Sequence, residues 1–425
     1  MWVDRRDGLR LRPSAIALLA SLVATFGCSD DEAAAPTTTA AGGVGGAGGA
    51  GGMGGHGATT GSGGAGGGGG GAPSVKWHPG HYLMWTMGTS DASTQSFRFT
   101  RYDQIADSTA VLGAVVFVKW KQIEPSQGVY DFSTVHQELD KLEGLTVPKR
   151  LVVRMTPQYY GNDPAQSCAL GSSDYYPDYV ISADGCAQTS NQSIAAFWKP
   201  EITDHYIRVM LALAAELDGE PYFENIVLTR ETSFGQPRPA DYTASAYIAQ
   251  LERLAAEVKA GWTRTNVTMN INWVDGGQTA TNDLIAYMRT IGVGVGGPDV
   301  APTCINDDCS QGFADVQGIW SYNTVIGNST GGGTAIAGIV PLNMGIEGSE
   351  LGLNTVGQEG GYTPAELFAF CDSLLGCSSM YWLRNEWWGT AEQQWDTGIL
   401  PFIEANPTLS NAACPSTYTA GCDGS

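Results

Sequence analysis

The chain has 425 residues and a formal net charge of −21 at pH 7, with 22 Lys and Arg against 43 Asp and Glu. Such an acidic protein repels phosphate backbones, so nucleic acid is not expected as a partner, whereas a neutral or weakly charged substrate is compatible with it. The length exceeds that of one small domain, and only part of the chain has the composition of a folded protein.

Residues 1–28 are predicted to be an export signal. Four arginines open the chain: Arg5, Arg6, Arg10 and Arg12. The apolar segment at 15–26 that follows is too short to cross a membrane as a stable helix. A small residue stands directly before Cys28, which predicts lipidation of Cys28 and anchoring to the outer or cell-surface membrane. The two residues at 25 and 26 depart from the usual lipidation motif, so a plainly secreted product remains an alternative.

Residues 29–73 are predicted to be a disordered linker. From about residue 35 the sequence consists mostly of glycine and alanine, so it has few side chains to bury and cannot offset its conformational entropy. A flexible segment of this kind has an average end-to-end distance of about 35 Å. Because no later apolar run is long enough to span a membrane, contact with the membrane is expected only through the lipid anchor.

Residues 74–425 are predicted to form a (β/α)8 TIM barrel. Short apolar strands alternate with amphipathic helical patterns, which is typical of a parallel α/β arrangement. Eight strands are predicted: 81–87, 114–120, 150–156, 225–231, 266–273, 292–297, 338–347 and 379–385. Long loops are predicted after strand three (157–195) and strand six (298–320), at the end of the barrel where such folds build their sites.

The helices between the strands carry recognisable start and stop signals. Ser133 is predicted to cap a helix that Gly144 ends. Before strand eight, Thr363 and Glu366 have the spacing of a capping box. Two further segments, both long and amphipathic, are predicted to be helical: 199–219 and 240–261.

The chain has nine cysteines, and eight remain when Cys28 is set aside. An even number in a chain expected to be exported predicts disulfides. Pairing sequence neighbours gives Cys168–Cys186, Cys304–Cys309, Cys371–Cys377 and Cys414–Cys422. Other pairings stay open. Neither a C-x-x-C motif nor a neighbouring histidine supports a zinc site, so no metal or cofactor is expected.

The segment at 120–132, WKQIEPSQGVYDF, resembles the region after strand two of clan A glycoside hydrolases. In that clan a Trp near the strand end is followed by Ile-Glu-Pro, a Gly, and an Asp between two aromatic residues. The resemblance implies a retaining hydrolase with a general acid/base after strand four and a nucleophile after strand seven. Glu231 and Glu347 occupy these places, with Glu350 as an alternative nucleophile, and Glu124 is expected to fix a loop.

One position departs from the pattern of that clan. The clan has Asn before the acid/base, and here Arg230 stands there. Arg230 is expected to bind an acidic or sulfated substrate group, or to pair with a glutamate. The departure keeps a second interpretation open, in which the protein is a non-catalytic surface barrel that binds carbohydrate.

Side chains at or just after strand ends are expected to contact the sugar, because flat rings stack on sugar faces and polar groups bond hydroxyls. The expected contacts are Trp85, Trp120, Arg154, Tyr159, Arg230, Asn272, Trp273, Asn343, Trp382 and Trp387. The resemblance implies that Trp382 is the platform of strand eight. For Arg154, a buried pair with a carboxylate of strand four or strand two is the alternative. The expected partner is a carbohydrate, and the protein is expected to be a monomer.

The lipid anchor yields a test that needs no knowledge of the substrate. Replacing Cys28 with serine removes the acceptor of the lipid, so the protein should move from the membrane fraction to the soluble fraction. Immunoblotting of the two fractions measures the shift. Equal membrane retention of both proteins would contradict the lipoprotein interpretation.

Overall fold

The structure is a computed structural model, and it describes residues 73–88, 92–160, 164–190, 192–298, 300, 336–347, 351, 361–384 and 390–423. Several predictions concern residues outside these ranges: the export signal with Cys28, most of the linker, Cys304–Cys309, most of the loop after strand six, Glu350 and Trp387.

Eight parallel strands close into a barrel, as predicted. They are β1 (Gly80–Gly88), β2 (Val111–Lys119), β3 (Arg150–Thr156), β4 (Phe223–Val227), β5 (Asn266–Asn270), β6 (Gly294–Gly297), β7 (Leu342–Ile346) and β8 (Ser379–Leu383). Each strand pairs with its neighbours in chain order, and β8 pairs with β1. The fold is therefore a (β/α)8 TIM barrel.

Helices connect the strands in the described part of the chain. The longer ones are α1 (Ala92–Tyr102), α2 (Ser133–Glu143), α3 (Pro200–Leu217), α4 (Ala244–Gly261), α5 (Gly277–Ile291), α6 (Pro364–Ala369) and α7 (Leu400–Ala405). Shorter helical segments are Trp120–Ile123, Pro164–Ser167 and Asp178–Ser182, with 3-10 turns at Asp103–Ile105 and Ala391–Gln393 and π turns at Phe370–Leu375 and Trp395–Ile399. No helix among the described residues is long and apolar enough to span a membrane.

The strand β6 is rich in glycine, and its neighbouring strands leave no room for a side chain at Gly296. A Cβ on Gly296 would lie 2.4 Å from the carbonyl oxygen of Asn343 on β7 and 2.6 Å from Oδ1 of Asn270 on β5. Glycine lowers strand propensity, but here close packing inside the barrel outweighs that preference.

One predicted helix cap is confirmed and another is wrong. Thr363 Oγ1 accepts from the backbone N–H of Glu366 at 3.3 Å, and Glu366 Oε2 accepts from that of Thr363 at 2.8 Å, which confirms the capping box. Ser133 is not a cap: it begins the helical turn itself, and its N–H donates to Asp131 Oδ1 at 2.9 Å. The acidic side chain two residues earlier therefore does what the serine was expected to do.

The loop after β3 contains a small antiparallel sheet of Gln158–Tyr160, Gln192–Ala195 and Cys186–Gln188. A disulfide between Cys168 and Cys186 holds this loop, as predicted. The expected bond between Cys371 and Cys377 is not formed, and both side chains are buried free thiols. Their closeness in sequence was the reason for predicting a bond. Both are instead buried as small apolar side chains, Cys371 within the π turn and Cys377 just after it.

The two ends of the folded domain meet at the N-terminal end of the barrel. The strand Val75–Lys76 pairs in parallel with Cys422–Asp423, and the predicted Cys414–Cys422 disulfide fastens the second segment. Trp77 packs edge-on against Tyr418, with the ring centroids 6.1 Å apart. The first folded residues therefore lie at the opposite end of the barrel from the loops that follow the strands.

A fully buried ion pair joins α1 to α2. Arg98 Nε donates to Glu138 Oε1 at 3.1 Å, and the hydroxyl of Tyr102 donates to Glu138 Oε2 at 2.7 Å. Neither charged side chain is exposed to solvent. Removing one partner would leave the other charge buried and uncompensated.

We therefore expect Glu138→Ala to lower the free energy of unfolding by about 3–5 kcal/mol. The exposed pair of Lys141 and Asp103 connects α2 to the turn after α1 and serves as a control, because Lys141→Ala should cost about 1 kcal/mol or less. Urea unfolding of the folded domain measures both. Similar losses in the two variants would contradict this account.

Candidate active site

Glu347 follows β7 directly and lies at the C-terminal end of the barrel. Its side chain is only 5% exposed, and Oε1 accepts from Arg154 Nη1 at 3.3 Å. A buried carboxylate needs such a partner, because desolvation of an unpaired charge is costly. The residue predicted as nucleophile is thus held as half of a buried ion pair.

Glu231 lies four residues beyond the end of β4, in a loop at the same end of the barrel. Its backbone N–H donates to Gln158 Oε1 at 3.0 Å. Its carboxylate oxygen Oε2 accepts from Asn272 Nδ2 at 2.6 Å and from Ser233 Oγ at 3.2 Å. The predicted strand therefore ends earlier than expected, and the acid is presented by a braced loop.

Electrostatics link the two glutamates. Burial raises the pKa of Glu231, and the negative charge of Glu347 raises it further. Arg230, Arg154 and the hydrogen bond from Asn272 act in the opposite direction without overcoming these effects. A raised pKa in one carboxyl group of a close pair is what acid/base chemistry with two carboxyl groups uses.

Arg154, on β3, connects the two halves of this site. Besides its bond to Glu347, its Nη2 donates to the backbone carbonyl of Arg230 at 2.8 Å. Its guanidinium also lies 4.7 Å from the ring centre of Phe117 on β2. The side chain is 1% exposed, so Arg154 does form a buried carboxylate pair, but the carboxylate follows β7 and not strand four or strand two as expected.

Arg230 lies beside Glu231 and stacks on aromatic rings. Its guanidinium is 4.4 Å from the ring centre of Tyr160 and 5.5 Å from that of Phe117. Tyr160 is itself buried, and burial and the charge of Glu231 raise the pKa of its phenol. The Tyr160 hydroxyl is near that carboxylate but makes no well-aligned hydrogen bond.

The aromatic residues expected at the mouth divide into two groups. Trp273 is 36% exposed and directly follows Asn272, so its ring is available to a ligand. Trp120 and Trp382 are fully buried. Trp120 packs on Tyr206 of α3 with ring centres 4.9 Å apart. Trp382 donates from Nε1 to His81 at 3.0 Å. Trp120 begins the short helical segment after β2, Trp382 lies on β8, and both indoles pack in the helical layer, which does not support a platform role.

Three other expected contacts lie in different surroundings. Trp85 is 5% exposed, with Arg384 5.4 Å from its ring centre. Tyr159 is partly exposed and packs edge-on against Tyr175 at 4.8 Å. Asn343 is buried inside the barrel, where Nδ2 donates to Thr268 Oγ1 at 3.1 Å. Asn343 therefore belongs to a polar network in the barrel interior, below the glutamates.

Glu124 fixes a loop, as expected. Its Oε2 accepts from Trp120 Nε1 at 3.0 Å and from the hydroxyl of Tyr179, and its Oε1 accepts from the N–H of Gly128 at 2.7 Å. The motif that carries the family resemblance thus braces the rim through hydrogen bonds.

Sequence reasoning missed the braces of the acid loop. Nothing in the local pattern singled out Ser233 or Thr232, and Asn272 was expected to bind sugar. Arg238, on the same loop, forms a two-point bond to Asp275 at 2.7 and 2.9 Å. In the sequence, the only hint of these contacts was the basic residue Arg238, which follows Glu231 in the same loop. In the described part of the chain, no three His, Cys, Asp or Glu side chains cluster as a metal site would require.

Comparison with known proteins gives similarity of fold at low identity. A scan against models of protein families and a search of curated proteins gave no match. Among solved structures, endo-glycoceramidase II from Rhodococcus sp. aligns at 15% identity over 75% of this chain and 77% of its own, with a TM-score of 0.48. A cold-adapted β-galactosidase from Rahnella sp. R3 aligns at 10% identity over 77% and 55%, with a TM-score of 0.49. GH5_18 from Bifidobacterium longum aligns at 13% identity over 80% and 77%, with a TM-score of 0.42. Matches of this strength do not establish an activity for this chain.

The raised pKa of Glu231 predicts a pH-dependent cost to stability. A carboxyl group whose pKa is higher in the folded state penalises folding above that pKa, and the penalty disappears below its unfolded value. Glu231→Gln removes the charge and keeps the shape. The variant should therefore be more stable than the parent at neutral pH, and the gain should vanish as the pH falls toward 4.

Glu224 provides a control of opposite sign. Burial alone would raise its pKa, but bonds to His78 and the charges of His78 and Arg150 outweigh burial and lower it. Its ionised form stabilises the fold above the unfolded pKa, so Glu224→Gln should lose stability at neutral pH, and the loss should shrink on acidification. Thermal melts across pH measure both. A gain in Glu231→Gln that is independent of pH would contradict the prediction.

Proposed function

We propose that the protein is a retaining glycoside hydrolase that cleaves a poly- or oligosaccharide. The observation that carries the proposal is the pair of carboxyl groups at the mouth of the barrel. Glu231 and Glu347 come from the loops after β4 and β7 and interact electrostatically, and burial together with the charge of Glu347 raises the pKa of Glu231. Two such carboxyls are what glycoside cleavage requires.

In the first step Glu347 attacks the anomeric carbon and forms a covalent glycosyl ester. The bond to the leaving oxygen breaks, and Glu231 gives that oxygen its proton. In the second step Glu231, now ionised, takes a proton from water, and the resulting hydroxide displaces Glu347 from the sugar. Both residues then return to their starting states. This retaining mechanism requires a carboxyl separation of about 5–5.5 Å.

The remaining groups have supporting roles in this proposal. Arg154 holds Glu347 in place for attack through a charge-assisted bond. Trp273 supplies an exposed ring for stacking on a sugar face. The export signal and lipidated Cys28 place the enzyme outside the cytoplasm, where polysaccharides are encountered.

The second candidate is a non-catalytic barrel that binds carbohydrate at the cell surface. It is favoured by Arg230, which stands where the resembled clan has Asn. Incubation with a panel of polysaccharides separates the two functions. Newly formed reducing ends support the hydrolase, whereas retention on a polysaccharide without such products supports the binding barrel. Proton NMR of the first product gives its anomeric configuration, and inversion would refute the retaining mechanism.

Two substitutions test the roles of the carboxyls on aryl glycosides. Glu347→Gln removes the nucleophile, so turnover should fall to background while sugar binding persists. Glu231→Ala should lower kcat/KM for phenyl glycosides by about 10²–10⁴-fold, the usual contribution of acid catalysis. It should affect dinitrophenyl glycosides far less, because that leaving group needs no proton.

The exposed Glu143 of α2 offers a matched control, since Glu143→Gln changes the same chemical group far from the mouth. Its kinetics should equal those of the parent. Equal losses on both classes of leaving group in Glu231→Ala would refute the acid/base assignment.

A further inference from the structure

The side chain of Asn272 uses its whole hydrogen-bonding capacity within the protein. Oδ1 accepts from three backbone N–H groups, at 3.2, 3.0 and 2.9 Å, of Thr232, Ser233 and Trp273. Nδ2 has two hydrogens, and it donates to Glu231 Oε2 at 2.6 Å and to Ser233 Oγ at 2.9 Å. The residue is 4% exposed. No donor or acceptor remains for a sugar hydroxyl, so the expected role in substrate contact gives way to another.

The two carboxyl oxygens of Glu231 differ in the hydrogen bonds that they accept. Oε2 accepts from both Asn272 and Ser233. Since Asn272 also donates to the Ser233 hydroxyl oxygen, it directs the hydroxyl hydrogen toward Oε2. Among the described residues, no comparable donor is aligned on Oε1. A proton on Oε2 would oppose two donors that already point at that atom, whereas the described residues aim no such pair of donors at Oε1.

The loop that carries Glu231 is fastened to the end of β5 at several points. Thr232 Oγ1 donates to the carbonyl of Trp273 at 2.9 Å, and Arg238 holds Asp275 by two bonds. From the β3 side, Gln158 Nε2 donates to the carbonyl of Ser233 at 2.9 Å. The backbone on both sides of the carboxyl group is therefore held in place, while its Oε2 is held by Asn272 and Ser233.

We infer that Asn272 is a positioning residue, which makes Oε1 of Glu231 the oxygen that gives and later takes the proton. This inference rests on the proposed function. Asn272 does not touch the reacting atoms. It holds Oε2 and the loop, so that the carboxyl group alternates between acid and base without turning.

The inference predicts how Glu231 titrates when Asn272 is changed. Among the described residues, five other titratable groups act on this carboxyl: Arg230 beside it, Arg154 on β3, Glu347 after β7, Tyr160 in the loop after β3 and Tyr247 on α4. In Asn272→Asp the three backbone N–H groups keep an acceptor, while the donor to Oε2 is lost and a like charge is added. The midpoint of Glu231 should rise by at least about one pH unit, the size expected for loss of one hydrogen bond to a charged group.

Carbon-13 NMR of glutamate side-chain carboxyls measures this midpoint in the folded protein, with Glu231→Gln assigning the signal. Asn272→Ala should also raise the midpoint, and Ser233→Ala should raise it less, because its bond is longer. Ser245→Asp adds the same charge at an exposed position at the start of α4 and should leave the midpoint unchanged. Should Asn272→Asp fail to fold, Asn272→Ala and Ser233→Ala carry the same comparison. An unchanged midpoint in the folded Asn272 variants, or an equal shift in Ser245→Asp, would overturn the inference.

Kinetics on aryl glycosides supply the second arm. General acid catalysis is lost as pH rises through the pKa of the acid, so the alkaline limb of kcat/KM should move upward in Asn272→Asp by the shift seen in NMR. A uniform loss of activity with an unmoved limb would indicate a merely structural role and would overturn the inference. If the parent protein cleaves no glycoside, the proposed function fails, and the NMR titration still decides whether Asn272 controls Glu231.

Discussion

The mouth of the barrel depends on the hydrogen bonds and ion pair made by the buried guanidinium of Arg154. It bonds Glu347 after β7 and the carbonyl of Arg230 after β4, while its own strand, β3, lies beside β4 in the barrel. Because breaking a buried pair leaves an uncompensated charge, at a cost of about 3–5 kcal/mol, this one side chain fixes two loops that are far apart in sequence. Arg154 thereby ties the loop that carries Glu347 to the loop that carries Glu231.

The charges around this guanidinium are arranged to suit the proposed chemistry. Glycoside cleavage develops positive charge at the sugar, which two neighbouring arginines would oppose. Arg154 is directed at Glu347, and Arg230 lies against the face of Tyr160. A carboxylate and an aromatic face both attract positive charge, so each arginine is partly neutralised by a neighbour. Glu231 keeps a raised pKa in spite of them because burial and Glu347 act more strongly.

The sequence was sufficient for the barrel, since strands and helices depend on local pattern, while the choice of Glu231 and Glu347 came from the resemblance to clan A glycoside hydrolases. Apolar runs placed all eight strands, although β4 ends at Val227 and the predicted strand continued to Glu231. The sequence could not predict the surroundings of Asn272 and Trp382, because these depend on which way a side chain points and on partners distant in sequence. Cys371 and Cys377 illustrate the same limit, as closeness along the chain does not decide whether two thiols bond.

The meeting of Val75–Lys76 with Cys422–Asp423 beneath the barrel has a consequence for orientation. Residue 73, the first that the structure describes, lies at the face opposite the carboxyls. Were the chain anchored at Cys28, as its sequence predicts, the attachment would reach the domain at the end away from the mouth. Long or insoluble polymers could then reach the mouth without being threaded between the domain and the membrane.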